Sequence, residues 1–152
     1  MLTGFCEKTI IADTTCFIAF DNIGRFDILQ AVCPSIITTP EVAFEYNNPL
    51  PQWIQVISVE DTSKIKSIST ILGAGEASAI ALALETVNPL VILDDKKARR
   101  YAKNLGLDFT GIVGLLRRGY KQGFVSDMDS VIASLHAIGF RLPENTIELI
   151  KK

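Results

Sequence analysis

Five carboxylates occupy the positions of this chain that are best suited to chemistry: Asp13, Glu45, Glu76, Asp94 and Asp95. Asp13 ends the apolar run 9–12, and Asp94 and Asp95 follow the apolar run 90–93. Short apolar runs of this kind predict buried parallel strands, and the functional crevice of an open α/β sheet lies outside the carboxyl ends of such strands. Carboxylates gathered there repel one another unless a cation holds them. The pattern therefore predicts a divalent-metal site.

The elements that must position these acids alternate between strands and helices. Strands are predicted over five short runs: 9–13, 35–39, 54–59, 90–94 and 107–110. Thr39-Pro40 supplies a cap and a first-turn proline for a helix, and the glycines of 73–75 precede an alanine-rich helix. Further helices are predicted over 127–138 and after Pro143. The alternation predicts a central, mostly parallel sheet of four or five strands with helices on both faces.

The bulk composition indicates one globular domain over residues 1–152. The chain is 48% hydrophobic and 8% aromatic, which is typical of an α/β domain. No run approaches the roughly 18 apolar residues that span a bilayer, and residues 1–8 do not resemble a signal peptide, so a cytoplasmic location is expected. Cys6, Cys16 and Cys33 match no zinc-binding spacing and are predicted to be buried thiols.

Basic residues are unevenly distributed along the chain. The net charge is -2, yet eight of the fifteen Lys and Arg residues lie between Lys96 and Lys121, a stretch with the single acid Asp108. A local basic surface on a mildly acidic protein fits a domain that contacts phosphates in one place. For any one of these bases, the alternative is a solvated helix face.

Each acid also has a structural alternative. Asp13 is suited to cap the helix that follows it, and Glu76 lies in a first helical turn, where an acid gains about 0.3–1 kcal/mol from the helix dipole. Asp94 and Asp95 point to opposite sides of a strand end, so one enters the crevice while the other caps the next helix. The residues alone leave that assignment open.

Two glutamates of the segment after Pro40 are separated by one helical turn. Glu41 is explained by its place at the helix start, where Thr38 with Glu41 fits a capping box. Glu45 lies beyond the first turn, so the helix dipole does not explain it. Glu45 is therefore the better candidate for the site.

Taken together, these motifs resemble PIN domains, the small nucleases that include VapC-type toxins. The run 13–15 is similar to the first-strand Asp-x-Ser/Thr motif, Glu45 to the helix glutamate, and the run 75–83 to the acid-led, alanine-rich helix. The run 93–95 resembles the Thr-x-Asp motif, with leucine in place of threonine, and its register favours Asp95 as the ligand. Glu76 stands where aspartate is common, and it supplies the same type of oxygen ligand.

The resemblance covers residues 9 to about 125, with helices over 127–151 completing the domain. The runs 94–99 and 111–116 further resemble a branch of poorly characterised bacterial and archaeal PIN-like proteins. The resemblance implies a three-layer α/β/α fold. It also implies RNA as the substrate, and it suggests an antitoxin protein and a second copy of this chain as partners.

The resemblance implies a metal-dependent ribonuclease, with the toxin of a toxin–antitoxin pair as one role. Mg²⁺ or Mn²⁺ would be held by Asp13, Glu76 and Asp95, with Glu45 and Asp94 completing the catalytic set. Thr15 and Thr110 would assist by hydrogen-bonding a ligand or a metal-bound water. Six bases are the candidate phosphate contacts: Lys96, Arg99, Arg100, Lys103, Arg117 and Arg118.

Two other functions fit parts of the pattern. A PIN-fold binding or regulatory module with little or no catalysis would use the same fold, although all the acids are present here. A receiver-like domain would need paired acids after the first strand, which Asp13-Thr14 lacks. The lone His136 has no recognisable nucleophile partner, so a Ser-His-Asp or Cys-His hydrolase is disfavoured.

Overall fold

The computed structural model describes residues 7–152. The strands of this range are β1 (Thr9–Ala12), β2 (Ile36–Thr38), β3 (Ile54–Val56), β4 (Pro89–Ile92) and β5 (Asp108–Thr110). Its helices are α1 (Thr14–Asn22), α2 (Phe26–Val32), α3 (Pro40–Tyr46), α4 (Thr62–Ser69), α5 (Ala74–Leu84), α6 (Lys96–Asn104), α7 (Ile112–Lys121), α8 (Met128–Ala137) and α9 (Thr146–Lys151). None of these helices has the length and apolar character that crossing a membrane requires.

The five strands form one sheet in the order β3-β2-β1-β4-β5, and every pairing within it is parallel. Ile10 of β1 pairs with Ile36 on one side and with Leu90 of β4 on the other. The chain builds outward from β1 to β3, then returns to place β4 and β5 on the opposite side. The carboxyl ends of β1 and β4 therefore flank the switch point, where α/β sheets bind their ligands.

Alternate residues of the strands face two separate cores. Ile10 and Ala12 face one, together with side chains of α1, α2, α7, α8 and α9. Ile11 and Val91 face the other, which is closed by α4, α5 and α6. Helix α3 contacts both α1 and α5, so it lies beside the switch point. These layers confirm the predicted α/β/α architecture with a parallel sheet.

The predicted strands are all present, and each ends earlier than predicted or at the same residue, while β4 begins one residue earlier, at Pro89. The largest difference is in β3, predicted over 54–59, which ends at Val56; Ile57 beyond it still donates to Thr38 O at 2.8 Å. Cys16 and Cys33 are buried as predicted. Cys6 and the other residues of 1–6, with the predictions made for them, lie outside the described range.

The start of α3 is capped by Thr39. Its Oγ1 accepts from Val42 N at 3.1 Å, and Pro40 occupies the first helical position as predicted. The capping box of Thr38 with Glu41 is wrong, because the Thr38 hydroxyl instead donates to Ala12 O at 2.8 Å. This bond ties the end of β2 to the end of β1. It thereby fixes α3 beside the residue that follows β1.

Candidate metal and nucleic-acid site

Asp13 both caps α1 and occupies the switch-point crevice. Its Oδ1 accepts from Thr14 N at 2.6 Å, and the residue is only 3% exposed. The pKa of Asp13 is raised to about 7, chiefly by burial and further by the charges of Glu76, Glu45 and Asp94, against the lowering effect of the Thr14 hydrogen bond. The structural and functional interpretations of this residue are therefore compatible. The fold brings four of the predicted acids into electrostatic contact.

The lack of a side chain at Gly75 lets Glu45 and Thr14 approach the backbone of α5 closely. A Cβ built on Gly75 would lie 2.7 Å from Glu45 Oε1 and 2.9 Å from Thr14 Oγ1. The Thr14 hydroxyl is buried and makes no hydrogen bond within residues 7–152. An unpaired buried hydroxyl beside a carboxylate is a group left available for a ligand or a water.

Glu76 serves the helix start and the acidic cluster together. It lies in the first turn of α5, where its Oε1 accepts from Gly73 N at 3.3 Å. Burial raises the pKa of Glu76, and the neighbouring charges of Asp95 and Glu45 raise it further. The helix-start explanation is thus correct but incomplete, because the same carboxylate also faces two other acids.

Of the two adjacent aspartates, Asp95 is the one that caps a helix. Its Oδ2 accepts from Ala98 N at 2.9 Å at the start of α6, and the side chain is exposed. Its charge acts on Glu76, so it still borders the cluster.

Asp94 points to the other side, toward β5 and α7. Its Oδ1 accepts from Ile112 N at 3.2 Å and lies 3.6 Å from Arg99 Nη2. Burial raises the pKa of Asp94, while the Ile112 hydrogen bond and the Arg99 charge oppose that rise. Its charge is one of those that act on Asp13. The two aspartates therefore approach the cluster from different sides, as their adjacent positions predict.

The oxygen donors of the acidic cluster suit a divalent cation that keeps part of its water shell. Within residues 7–152, no three His, Cys, Asp or Glu side chains lie close enough to ligate one ion together. Mg²⁺ is usually held by one or two carboxylates and keeps several waters, so it does not require such a group. The oxygen-only donors, the unpaired Thr14 hydroxyl and the close approach of Glu45 at Gly75 fit a hydrated hard cation.

An open groove of about 1010 Å³ adjoins the acids along the carboxyl edge of the sheet. Asp94 and Asp95 line it, together with two of the predicted bases, Lys96 and Arg99. Thr110, at the end of β5, also lines this groove.

Arg99 is held in place by the protein. Its Nε donates to Leu93 O at 2.6 Å, and its guanidinium lies 5.6 Å from the centre of the Phe109 ring. Arg99 therefore positions Asp94 as well as adding positive charge to the groove.

The remaining predicted bases are dispersed. Arg100 and Lys103 are exposed on α6, outside the groove, and Thr15 is exposed on α1. Arg118 lines a separate cavity of about 190 Å³ with Lys8 and Ser35, where β1 and β2 begin. Because α7 starts at the carboxyl edge and runs back across the sheet, the fold carries Arg118, and the exposed Arg117 beside it, away from the acids.

Three residues near the acids or the groove are not singled out by the sequence pattern. The sequence motif favours Thr15, and only the orientation of α1 distinguishes Thr14 from it. Phe140 and Arg141 line the groove from the segment between α8 and α9. No spacing or motif signal marks that segment, because its proximity to β5 arises only from the packing of the final helices.

The fold and site define an α/β/α domain with carboxylates gathered at its topological switch point. A family model described as a PIN domain matches residues 9–152. The chain therefore belongs to the PIN-domain family, which confirms the resemblance and extends it through the C-terminal helices. No curated protein matches this chain. PIN domains are generally nucleases that use divalent metals, so the fold is a nuclease-like one.

Proposed function

We propose that this protein is a divalent-metal-dependent endoribonuclease whose active site is the cluster around Asp13. The observation that carries the proposal is the buried Asp13 carboxylate at the switch point, repelled by Glu45, Glu76 and Asp94. Within residues 7–152, neither Asp13, Glu45 nor Glu76 forms an ion pair. Burying unbalanced charge is unfavourable, so such a cluster points to a function that needs it. Membership of the PIN-domain family supports hydrolysis of a nucleic acid.

The residues have distinct proposed roles. Asp13, Glu76 and Asp95 would hold Mg²⁺ or Mn²⁺, while Glu45 and Asp94 would orient water around it. Such an ion, when bound, activates water and stabilises charge on the phosphate. The unpaired Thr14 hydroxyl would hydrogen-bond one of these waters.

Thr15 and Thr110 would assist from the two sides of the crevice. Thr15 is exposed at the start of α1, and Thr110 lines the groove at the end of β5. Lys96 and Arg99 would bind the phosphates of an RNA strand that enters this groove. Arg100 and Lys103, exposed on α6, would extend this positive surface.

A biological role as the toxin of a toxin–antitoxin pair is supported by the resemblance to VapC-type toxins. The same resemblance supports an antitoxin protein and a second copy of this chain as partners. The toxin role and these partners are part of the proposal, and the chemistry proposed at Asp13 does not depend on them.

The test is cleavage of a mixed pool of fluorescent single-stranded and hairpin RNAs by the purified protein. We expect products with Mg²⁺ or Mn²⁺, none with EDTA, and none from Asp13→Asn. The matched control is Asp27→Asn, which removes a surface carboxylate paired with Arg25 at 3.0 Å. Cleavage that survives both EDTA and Asp13→Asn would contradict the proposal.

A second candidate function is an RNA-binding or protein-binding module without turnover. It is favoured by one observation: no three potential metal ligands lie together in the described part of the chain. This module would bind RNA without cleaving it at any Mg²⁺ or Mn²⁺ concentration. A metal titration across the same RNA pool separates the two functions.

A further inference from the structure

We propose that the wall formed by residues 140–143 binds single-stranded RNA beside the reacting phosphate, with a base stacked on Phe140 and a phosphate paired with Arg141. The inference rests on the proposed function, because it places the substrate of that same site. It assigns binding roles to two residues outside the acidic cluster and outside the basic stretch 96–121.

The groove connects this wall to the acids. Asp94 and Asp95 line it together with Phe140, Arg141 and Leu142. Its volume of about 1010 Å³ reaches the upper end of the roughly 300–1,000 Å³ typical of small-molecule sites. A chain with one phosphate at the carboxylates therefore has room to continue along the groove.

The positive charge of Arg141 is not balanced by an acid within residues 7–152. Its side chain is exposed and makes no ion pair or hydrogen bond with another residue of 7–152. Arg99, on the same groove, is instead held by Leu93 O and Asp94. Lys96 lines the groove next to the acids. Three bases, Lys96, Arg99 and Arg141, thus line the same groove as the carboxylates, which suits a chain of phosphates.

Phe140 presents an aromatic ring at a junction of two surfaces. It lines the groove and also a neighbouring cavity of about 240 Å³ that Thr15 borders. Single strands are bound through base stacking on aromatic side chains combined with basic contacts to the backbone. A duplex keeps its base faces stacked internally, so the combination favours a single strand.

The wall is held in position before any ligand arrives. Gly139 adopts a φ of +83°, and Phe140 N donates to Leu135 O at 3.0 Å, closing the end of α8. At the other end, Thr146 N donates to Pro143 O at 3.1 Å, at the start of α9. Two anchored ends limit the conformational entropy that binding would remove.

The test uses a short 5′-fluorescein-labelled single-stranded oligouridylate and the full chain in EDTA, which prevents cleavage. Fluorescence anisotropy is measured over a salt series for Arg141→Ala and Phe140→Leu. The matched controls are Lys66→Ala on α4, across the sheet, and Phe124→Leu, a more exposed phenylalanine outside the groove.

Arg141→Ala is expected to reduce the magnitude of the salt slope by about 0.7, the value for one phosphate contact on a single strand. Phe140→Leu is expected to weaken binding at least about fivefold, because the aromatic ring is lost, and to leave the salt slope unchanged, because no charge is removed. Both controls should bind as wild type does. Phe140→Trp should retain binding and add tryptophan quenching on RNA addition, beyond that of the single native Trp53.

The outcomes separate this inference from the nuclease proposal. Wild-type binding that neither variant weakens, or no wild-type binding, overturns the role of the wall even if cleavage is observed. Binding lost in both variants without any cleavage at any metal concentration supports the wall while the nuclease proposal fails. Far-ultraviolet circular dichroism and urea midpoints equal to wild type exclude misfolding of either variant.

Discussion

Two groups of carboxylates in this molecule have opposite electrostatic surroundings. At the start of α2 and α8, Asp27 and Asp127 each lie 3.0 Å from Arg25, and the hydrogen bond from Arg25 lowers the pKa of Asp27. At the carboxyl edge of the sheet, burial and neighbouring acids raise the pKa of Asp13 and Glu76.

The surface acids are balanced by a cation that the chain itself supplies. The buried acids face one another, which disfavours their charged form. The difference shows that this fold pairs Asp27 and Asp127 with a cation but leaves Asp13 and Glu76 at the switch point without an ion pair within residues 7–152. Groups with such raised pKa values concentrate at functional sites.

Gly75→Ala is expected to have a large effect on RNA cleavage at the acidic site. The new Cβ would overlap Glu45 Oε1 and Thr14 Oγ1 and displace them, so cleavage should fall by about a hundredfold. Alanine gains up to about 1 kcal/mol of helix propensity, which offsets the crowding, so the urea midpoint should change little. Gly73→Ala is the control, because its Cβ would meet only Glu76 Oε1, at 3.6 Å. Equal cleavage by the two variants would remove Gly75 from the site.

Asp13→Asn is expected to stabilise the metal-free protein at pH 7 by about 1–3 kcal/mol, because a neutral amide avoids the burial of charge. The folded pKa of Asp13 is about 7 and its ordinary value is 3.8. The folded state therefore binds the proton more tightly, and the contribution of Asp13 to stability declines as pH rises from about 4 to about 7.

Urea unfolding of wild type and Asp13→Asn across this pH range measures the effect. The gap between the two proteins should widen with rising pH and level off above about pH 7. Added Mg²⁺ should stabilise wild type more than the variant, because it balances the carboxylates. A gap that stayed constant with pH would show that Asp13 titrates normally.

Arg99 is held in place by the protein, whereas Arg100 is exposed to solvent, so the two alanine variants separate positioning from charge. Arg99→Ala should destabilise the fold by about 1–2 kcal/mol, because it removes the bonds to Leu93 O and Asp94. Arg100→Ala should change stability by less than about 0.5 kcal/mol. Each should reduce the magnitude of the salt slope of RNA binding, measured by anisotropy, by up to about 0.7. An unchanged slope in both would remove α6 from the RNA surface.

The smallest effect is expected from Arg25→Ala. This change breaks two exposed ion pairs, and such pairs contribute about 0.2–1 kcal/mol each. The loss should shrink at high salt, and RNA cleavage should be unaffected. Thermal unfolding in low and high salt, with the cleavage assay alongside, checks both expectations. A loss of cleavage would show that the two groups of acids are coupled.

The class of fold and the identity of the acids follow from local sequence. Strand-length apolar runs alternate with helical segments, and this residue pattern favours strands or helices before any long-range contact forms. Asp13, Asp94 and Asp95 follow such runs, so their place at the carboxyl edge could be predicted from local pattern alone. The metal ligands and the RNA contacts stay predictions.

Which side chains lie close together depends on the long-range packing of strands and helices. The strand order places β4 beside β1, and that long-range choice brings Asp94 within electrostatic reach of Asp13. The direction of α7 carries Arg118 to the amino edge, while the packing of α8 and α9 brings Arg141 to the groove. These contacts depend on how elements far apart in the chain pack together, and no local sequence pattern records that.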